Sequence, residues 1–375
     1  MSDDTLKLLD DAAAAYARPD CARNRALRGS ADGYDRARWR EMAELGWTAV
    51  VVPEAAGGLG LGCAAAATIA TRLGQAAFPE PYAAAAVLSP WCASRGDGPA
   101  AARMLPDMLG GDCVVGLAWQ NPVGDLAPQA AAVRAEPDAD GVRLAGEARF
   151  CAPASADAFI VSARTPQGLA LYRVARTQPG LEVIAEPSAD GAALARLRFA
   201  NAHLPADACV ASPATAEALL RDAIDAGTVV IAAELVGLMD RALDMTLEYL
   251  RTRKQFGKPI GSFQALQHRA VDIWIQRQLA RAAVDAAIAV LESPAADAAA
   301  RTRAASSAKA RAAHAALLLC NQAVQLHGAI GYTDDYDLGI YLNRALTLAA
   351  WMGNAAEHRR RWGVLTDAAP DREHP

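Results

Sequence analysis

A chain of 375 residues, 53% of them hydrophobic, is long enough to bury more than one core, and 42 acidic against 37 basic side chains leave it at a formal charge of −5. A mildly acidic chain without a basic block is unsuited to general nucleic-acid binding, and charged residues break every apolar run before it reaches the length of a membrane span. The acidic start MSDDTLKLLDD has no apolar signal region, so a cytoplasmic protein is expected.

In chain order, the alanine-rich composition favours helix, because alanine loses no side-chain entropy there. Residues 38–45 read as a helix ended by Gly46, followed by an apolar stretch, 47–52, that runs to Pro53. A glycine cluster, Gly57-Gly58-Leu59-Gly60-Leu61-Gly62, precedes a second helix at 64–75. A dinucleotide cradle would need G-x-G-x-x-G after a strand and an acidic residue further on. That spacing is not met, and Glu80 stands between two prolines, so the cluster reads as a helix–helix connection.

From Cys113 the texture becomes β-like, with runs at 113–119, 131–135, 142–150, 158–163, 169–174, 181–184 and 194–199 separated by turn residues. Such short, evenly spaced strands predict an antiparallel sandwich or barrel. From Thr215 helix returns. Leu235, Leu238, Met239, Ala242, Leu243, Leu247 and Leu250 form a stripe on one helix face, and further helices are expected at 263–291, 299–327 and 337–351. The fold class is therefore multidomain α+β: an N-terminal all-α domain (1–112), a middle β domain (113–212) and a C-terminal four-helix bundle (213–375). A frayed tail is expected from Asp367.

The seven cysteines are scattered without a C-x-x-C pair, and the six histidines lack ligand spacing with each other or with them. Buried thiols in a reducing compartment are expected, and no metal.

Two segments carry the chemistry. In Arg251-Thr252-Arg253-Lys254-Gln255-Phe256-Gly257-Lys258-Pro259, basic side chains near a helix end complement its dipole, with Gly257 as the stop; the same arginines offer donor forks for an anion. In Gln325-Leu326-His327-Gly328, His327 taken alone reads as a structural histidine. Together, R-x-x-F-G-x-P-I with Phe263-Gln264 and then Q-L-H-G-x-x-G closely resemble the C-terminal domain of acyl-CoA dehydrogenases. The stretch ELGWTAVVVPEAAGGLGLG is similar to that family's N-terminal region, and the resemblance spans roughly residues 38–362.

The resemblance implies an oligomer, homo- or hetero-, binding FAD at a subunit interface and desaturating an acyl-CoA, with electrons passing to electron-transfer flavoprotein or another acceptor. By position, Arg253 and Gln255 would meet the FAD pyrophosphate and Phe263 and Gln264 the adenosine half. Gln325 and Gly328 would approach from the other subunit. The reaction also requires a carboxylate base, and here the sequence departs from the family. In one branch the base aligns with Met352, within Trp351-Met352-Gly353; in another it aligns with Gly227. Asp225 and Glu357 lie nearby but are expected to point elsewhere. The stretches beside the flavin ring fall on Gln120-Asn121-Pro122 and Phe150-Cys151-Ala152, and Ala152 has no hydroxyl to donate. These departures are similar to those of small subunits of heteromeric acyl-CoA dehydrogenases of the pimeloyl-CoA or sterol side-chain type. Three readings follow: a subunit whose partner supplies the base, a homo-oligomeric flavoenzyme with an atypical base or altered chemistry, or a non-catalytic FAD- or acyl-CoA-binding subunit.

Overall fold

The computed structural model describes residues 3–367. The tail expected from Asp367 lies outside the described residues apart from Asp367 itself, which ends the last helix. By packing, the chain divides into two compact units. The first comprises Ala22–Ala66 and Pro79–Gly227 with the first few residues; the second comprises Lys7–Cys21, Ala67–Phe78 and everything from Thr228. No helix among the described residues is long and apolar enough to cross a membrane.

The N-terminal third is helical: α1 (Asp3–Tyr16), α2 (Cys21–Leu27), α3 (Arg36–Glu44), α4 (Gly62–Gln75), a buried π-helix at Tyr82–Leu88, α5 (Ser89–Arg95) and α6 (Pro99–Leu109). The Asp35 carboxylate accepts from the Ala37 N–H to cap α3, and Gly46 follows its end at φ 78°. The glycine cluster folds back on the preceding turn. The N–H groups of Gly58, Leu59, Gly60 and Leu61 donate to Pro53, Ala49, Val52 and Val50, so they are spent within the connection. Glu80 is buried and pairs with Arg23, which counters the burial that pushes its carboxyl up.

All seven expected strands form: β1 (Val115–Ala118), β2 (Arg134–Asp138), β3 (Gly141–Cys151), β4 (Ala158–Thr165), β5 (Gly168–Ala175), β6 (Leu181–Pro187) and β7 (Ala193–Pro205). A short β8 (Cys209–Ala211) is added. The sheet order is β6-β7-β3-β2-β4-β5-β8, with β1 also on β4. Most pairings are antiparallel, but β1 and β2 both run parallel to β4, so the sheet is mixed. Buried along Ala158–Ala163 and bonded on both edges, β4 reads as a continuous apolar run. Its Phe159 and Val161 join Leu144, Tyr172, Leu197 and Phe199 in the core.

The second unit is a helical bundle built from α7 (Ala216–Thr252, from Thr228 on), α8 (Gln264–Glu292), α9 (Ala298–His327), α10 (Leu338–Ala350) and a fifth, unexpected helix, α11 (Ala355–Asp367). α9 packs against α8, α10 and α11. α4 crosses α7 at backbone contact: a Cβ on Gly237 would lie 1.9 Å from the Thr71 carbonyl oxygen, and one on Gly74 would lie 2.2 Å from that of Glu234. Only glycine permits this approach. Ion pairs close the same region. Asp240 accepts from Arg281 at 2.7 Å and Gln75 at 3.0 Å and also pairs with Arg277, while Arg344 meets Glu234 at 2.7 Å.

Candidate active site

Helix α7 stops at Thr252, short of the glycine expected to end it. Beyond it, Lys254–Gln255 pair with Lys258–Pro259 in a two-stranded hairpin. The turn residues Phe256 and Gly257 both have positive φ (53° and 80°), as a two-residue hairpin turn of the primed type requires. Every side chain from Arg251 to Lys258 is exposed, Phe256 by 91%. The Arg253 backbone is fixed at both ends: its N–H donates to Tyr249 and its carbonyl accepts from Ile260. Its guanidinium stands in solvent, as do the side chains of Gln255 and Gln264, the latter opening α8. Phe263 is half-buried, edge-on to Phe256 at 6.1 Å, with the Lys258 ammonium 4.4 Å above its ring.

At the end of α9, Gln325 and Gly328 are exposed, and Gly328 adopts φ 68°, ψ −143°, a conformation essentially reserved for glycine. His327 is buried and structural, as read from the sequence. Its Nδ1–H donates to the Ala323 carbonyl at 2.8 Å, and its Nε2 accepts from the Tyr336 hydroxyl at 3.1 Å. Burial lowers its pKa, keeping the ring neutral. The ring also stacks on Tyr249 at 4.5 Å. Since Tyr249 bonds Arg253 and His327 adjoins Gly328, both motif segments meet at one end of one chain.

Met352 lies at the break between α10 and α11, with φ 57°, followed by Gly353 at 88°. It is 1% exposed. The fully buried Lys309 of α9 donates to the carbonyls of Trp351 at 2.9 Å and Gly353 at 2.8 Å, with Ala349 at 3.4 Å. The His358 Nε2–H donates to the Met352 carbonyl at 2.8 Å. Burial pushes the Lys309 ammonium down to about 7; burial and the Lys309 charge push His358 down to about 3. Glu357 lies beyond a break in the helix, and Arg360 holds its carboxylate in two bonds of 2.6 and 3.0 Å.

Gly227, on the first part of α7, is covered. A Cβ there would lie 2.5 Å from Cδ2 of Leu88, itself buried in the π-helix. Asp225 is buried and already engaged. Lys309, His358 and Leu88 escaped sequence reading. Lys309 sits among the buried alanines Ala305, Ala308, Ala312 and Ala316, a stripe that would have flagged it, whereas nothing in the sequence pairs Leu88 with Gly227.

In the sheet, Gln120 is buried, with Nε2 donating to Gly124 and Oε1 unpartnered. Asn121 builds the following turn by accepting from Val123 and Asp125. The β3–β7 register shifts between Ala148 and Cys151, a bulge that holds Phe150 at φ 60°. The Arg149 guanidinium lies 4.8 Å from the centre of the Phe150 ring, on its face. Burial pushes the Cys151 thiol up, which removes it as a nucleophile. Asp138, Asp140 and His203 come close enough to share a cation, but Arg143 already donates to Asp138 at 2.8 Å.

Comparison with known proteins decides the family. The model for the acyl-CoA dehydrogenase N-terminal domain matches residues 3–112, and that for the C-terminal domain matches residues 218–363. The acyl-CoA dehydrogenase IpdE2 of Mycobacterium tuberculosis is 30% identical over 344 residues, covering 90% of this chain and 89% of the relative. The chain belongs to the acyl-CoA dehydrogenase family. Among solved acyl-CoA dehydrogenases, a variant of the Tcur3481-Tcur3483 steroid ACAD superposes with a TM-score of 0.86 at 29% identity, covering 97% of this chain and 98% of the other. The ChsE4-ChsE5 complex from Mycobacterium tuberculosis gives a TM-score of 0.87 at 26% identity, with 99% of each chain covered. As an acyl-CoA dehydrogenase, the chain presents a basic hairpin and a glycine turn, and it carries Met352 and Gly227 where the sequence aligns the expected base.

Proposed function

We propose that this chain is the base-less subunit of a hetero-oligomeric, FAD-dependent acyl-CoA dehydrogenase. The observation that carries the reading is that both expected base positions lack a carboxylate and are closed, one by the buried Met352, the other by Leu88 over Gly227. The residues at the hairpin end fit the adenosine diphosphate half of FAD. Arg253 offers an unspent donor fork, and the Gly328 backbone is open, with nothing within 4 Å of where a Cβ would stand. Gln255, Gln264 and Gln325 add exposed amides, and Phe263 an aromatic edge. When bound, FAD supplies the acceptor for the hydride leaving the β carbon of the thioester.

The partner then supplies the carboxylate for the α proton. Two solved relatives bear two-chain names, which supports such an assembly, and one is a steroid ACAD, which supports a bulky acyl-CoA substrate. On α8, Val271, Trp274, Ile275 and Leu279 stay 40–52% exposed along one face, as an interface with the partner's bundle would use. Electrons leave to electron-transfer flavoprotein or a similar acceptor. The division at 1–112, 113–212 and 213–375 is part of the reading, supported by family matches that end at 112 and resume at 218. All seven cysteines are free, which supports a reducing cytoplasm.

The test is anaerobic mixing with acyl-CoAs, steroid-bearing and straight-chain. The isolated chain should leave FAD oxidised, and the chain co-purified with a second family member bearing the glutamate should reduce it. Rapid reduction by the isolated chain would overturn the assignment. In the assembly, Arg253→Ala should weaken flavin retention by about 1.5–3 kcal/mol, read as FAD content at limiting flavin.

A further inference from the structure

Away from the hairpin end, a cleft of about 250 Å³ between α9 and α11 is lined by Ser306, Arg311, His314, His358, Arg359 and Trp362 among others. Its lining along α9 ends at His314, roughly 20 Å along the helix from His327. Two buried groups of the lining are unsatisfied. His358 is fully buried, and its Nδ1 has no hydrogen-bond partner. Ser306, equally buried, has no partner for its hydroxyl. Such groups are uncommon in native interiors and point to a ligand or ordered solvent.

The chemistry of the lining narrows the ligand. The Nε2–H of His358 is committed to the Met352 carbonyl, so Nδ1 presents a lone pair and calls for an O–H or N–H donor. Arg311 spends one nitrogen on Gln276 at 2.7 Å but leaves Nε unused, and Arg359 is exposed; two guanidiniums call for an oxyanion. Trp362, 45% exposed, offers the face or edge of an indole to a flat ring. Inorganic phosphate satisfies the arginines alone. A phosphate, a ribose hydroxyl and a base in one molecule satisfy all three.

We propose that the α9–α11 cleft binds a nucleoside phosphate. A neighbouring groove of about 430 Å³ shares His314 and Arg359 and is otherwise largely apolar, with Leu317, Leu318 and Ala349, so the site continues beyond the phosphate. The ligand is either a free nucleotide or the adenosine 3′,5′-bisphosphate end of a CoA thioester.

Calorimetric titration of the flavin-loaded protein with adenosine 3′,5′-bisphosphate, coenzyme A and inorganic phosphate tests this, with indole fluorescence as a second readout. Adenosine 3′,5′-bisphosphate should bind and quench fluorescence, and Trp362→Phe should remove the quenching. Arg359→Gln, at an exposed position safe for folding, should weaken binding by about tenfold. Arg134→Gln, an exposed arginine on β2 with no part in either site, should leave the binding unchanged. Tighter binding of coenzyme A than of the bisphosphate assigns the site to the thioester; equal binding assigns it to free nucleotide. Three results would overturn the proposal: no binding by wild type, unchanged binding in Arg359→Gln, or inorganic phosphate binding as well as the bisphosphate.

Discussion

A glutamate installed at Gly227 is expected to destabilise the fold by about 3 kcal/mol or more, instead of creating a base. The Cβ alone would stand 2.5 Å from Cδ2 and 2.8 Å from Cγ of Leu88, which is 1% exposed. Overpacking a full core costs about 1–3 kcal/mol, and burying an unpaired carboxyl adds to it. The gain in helix propensity from replacing glycine is only about 1 kcal/mol. Urea midpoints measure the loss. Leu88→Ala, itself costing about 2–5 kcal/mol, should be less harmful in the Gly227→Glu background, because the cavity it opens receives the new side chain. A Gly227→Glu protein with the wild-type midpoint would mean that Leu88 yields freely and the position is open.

Lys309→Met is the second large effect. It leaves the carbonyls of Trp351 and Gly353, and the more distant Ala349, without their donor at the α10–α11 break. Unsatisfied buried acceptors cost about 1–3 kcal/mol each. The loss should depend on pH. Burial holds the folded ammonium near 7 against an ordinary value of 10.5, so between those values the unfolded chain binds more protons. From Lys309 itself, wild-type stability relative to Lys309→Met should therefore be flat just below pH 7 and rise above it, by at most about 1.4 kcal/mol per pH unit. His358, held near 3 against 6.5, adds a separate gain as pH rises through that lower window, smaller in Lys309→Met because the Lys309 charge is part of what pushes it down. Denaturation at pH 6, 7, 8.5 and 9.5 reads the difference. A difference that stays constant above pH 7 would show that three carbonyl acceptors keep the amine charged despite its burial.

Local signals in this chain were legible where one residue's neighbours in sequence decide its conformation. The seven longer strands alternate or run apolar and are bounded by turn residues. Three-residue β8 offers no such period, and the parallel pairing of β1 with β4 is a long-range choice that alternation does not encode. Helix α11 carried a signal that went unused: Asn354 accepts from the N–H groups of Ala356 and Glu357, with Gly353 before it. Basic residues around Gly257 suggest a helix stop, yet with Phe256 it makes a hairpin turn. The residues proposed to face the adenosine half are legible as motif. What closes the base positions is not, because Leu88 over Gly227 and Lys309 under Trp351 are contacts between distant segments.

The exposed hairpin also makes this end of the chain a target for proteases. Trypsin needs an accessible segment that can open locally, and Arg251, Arg253 and Lys254 stand in solvent where α7 gives way to the hairpin, while Lys258 is shielded by the proline that follows it. Limited digestion of the isolated chain should therefore cut between Arg251 and Gln255, separating the sheet-bearing part from α8 onward. Flavin and a partner subunit seated on the same residues should suppress that cut and leave others unchanged. The band pattern would then report assembly without any spectroscopic signal from the cofactor.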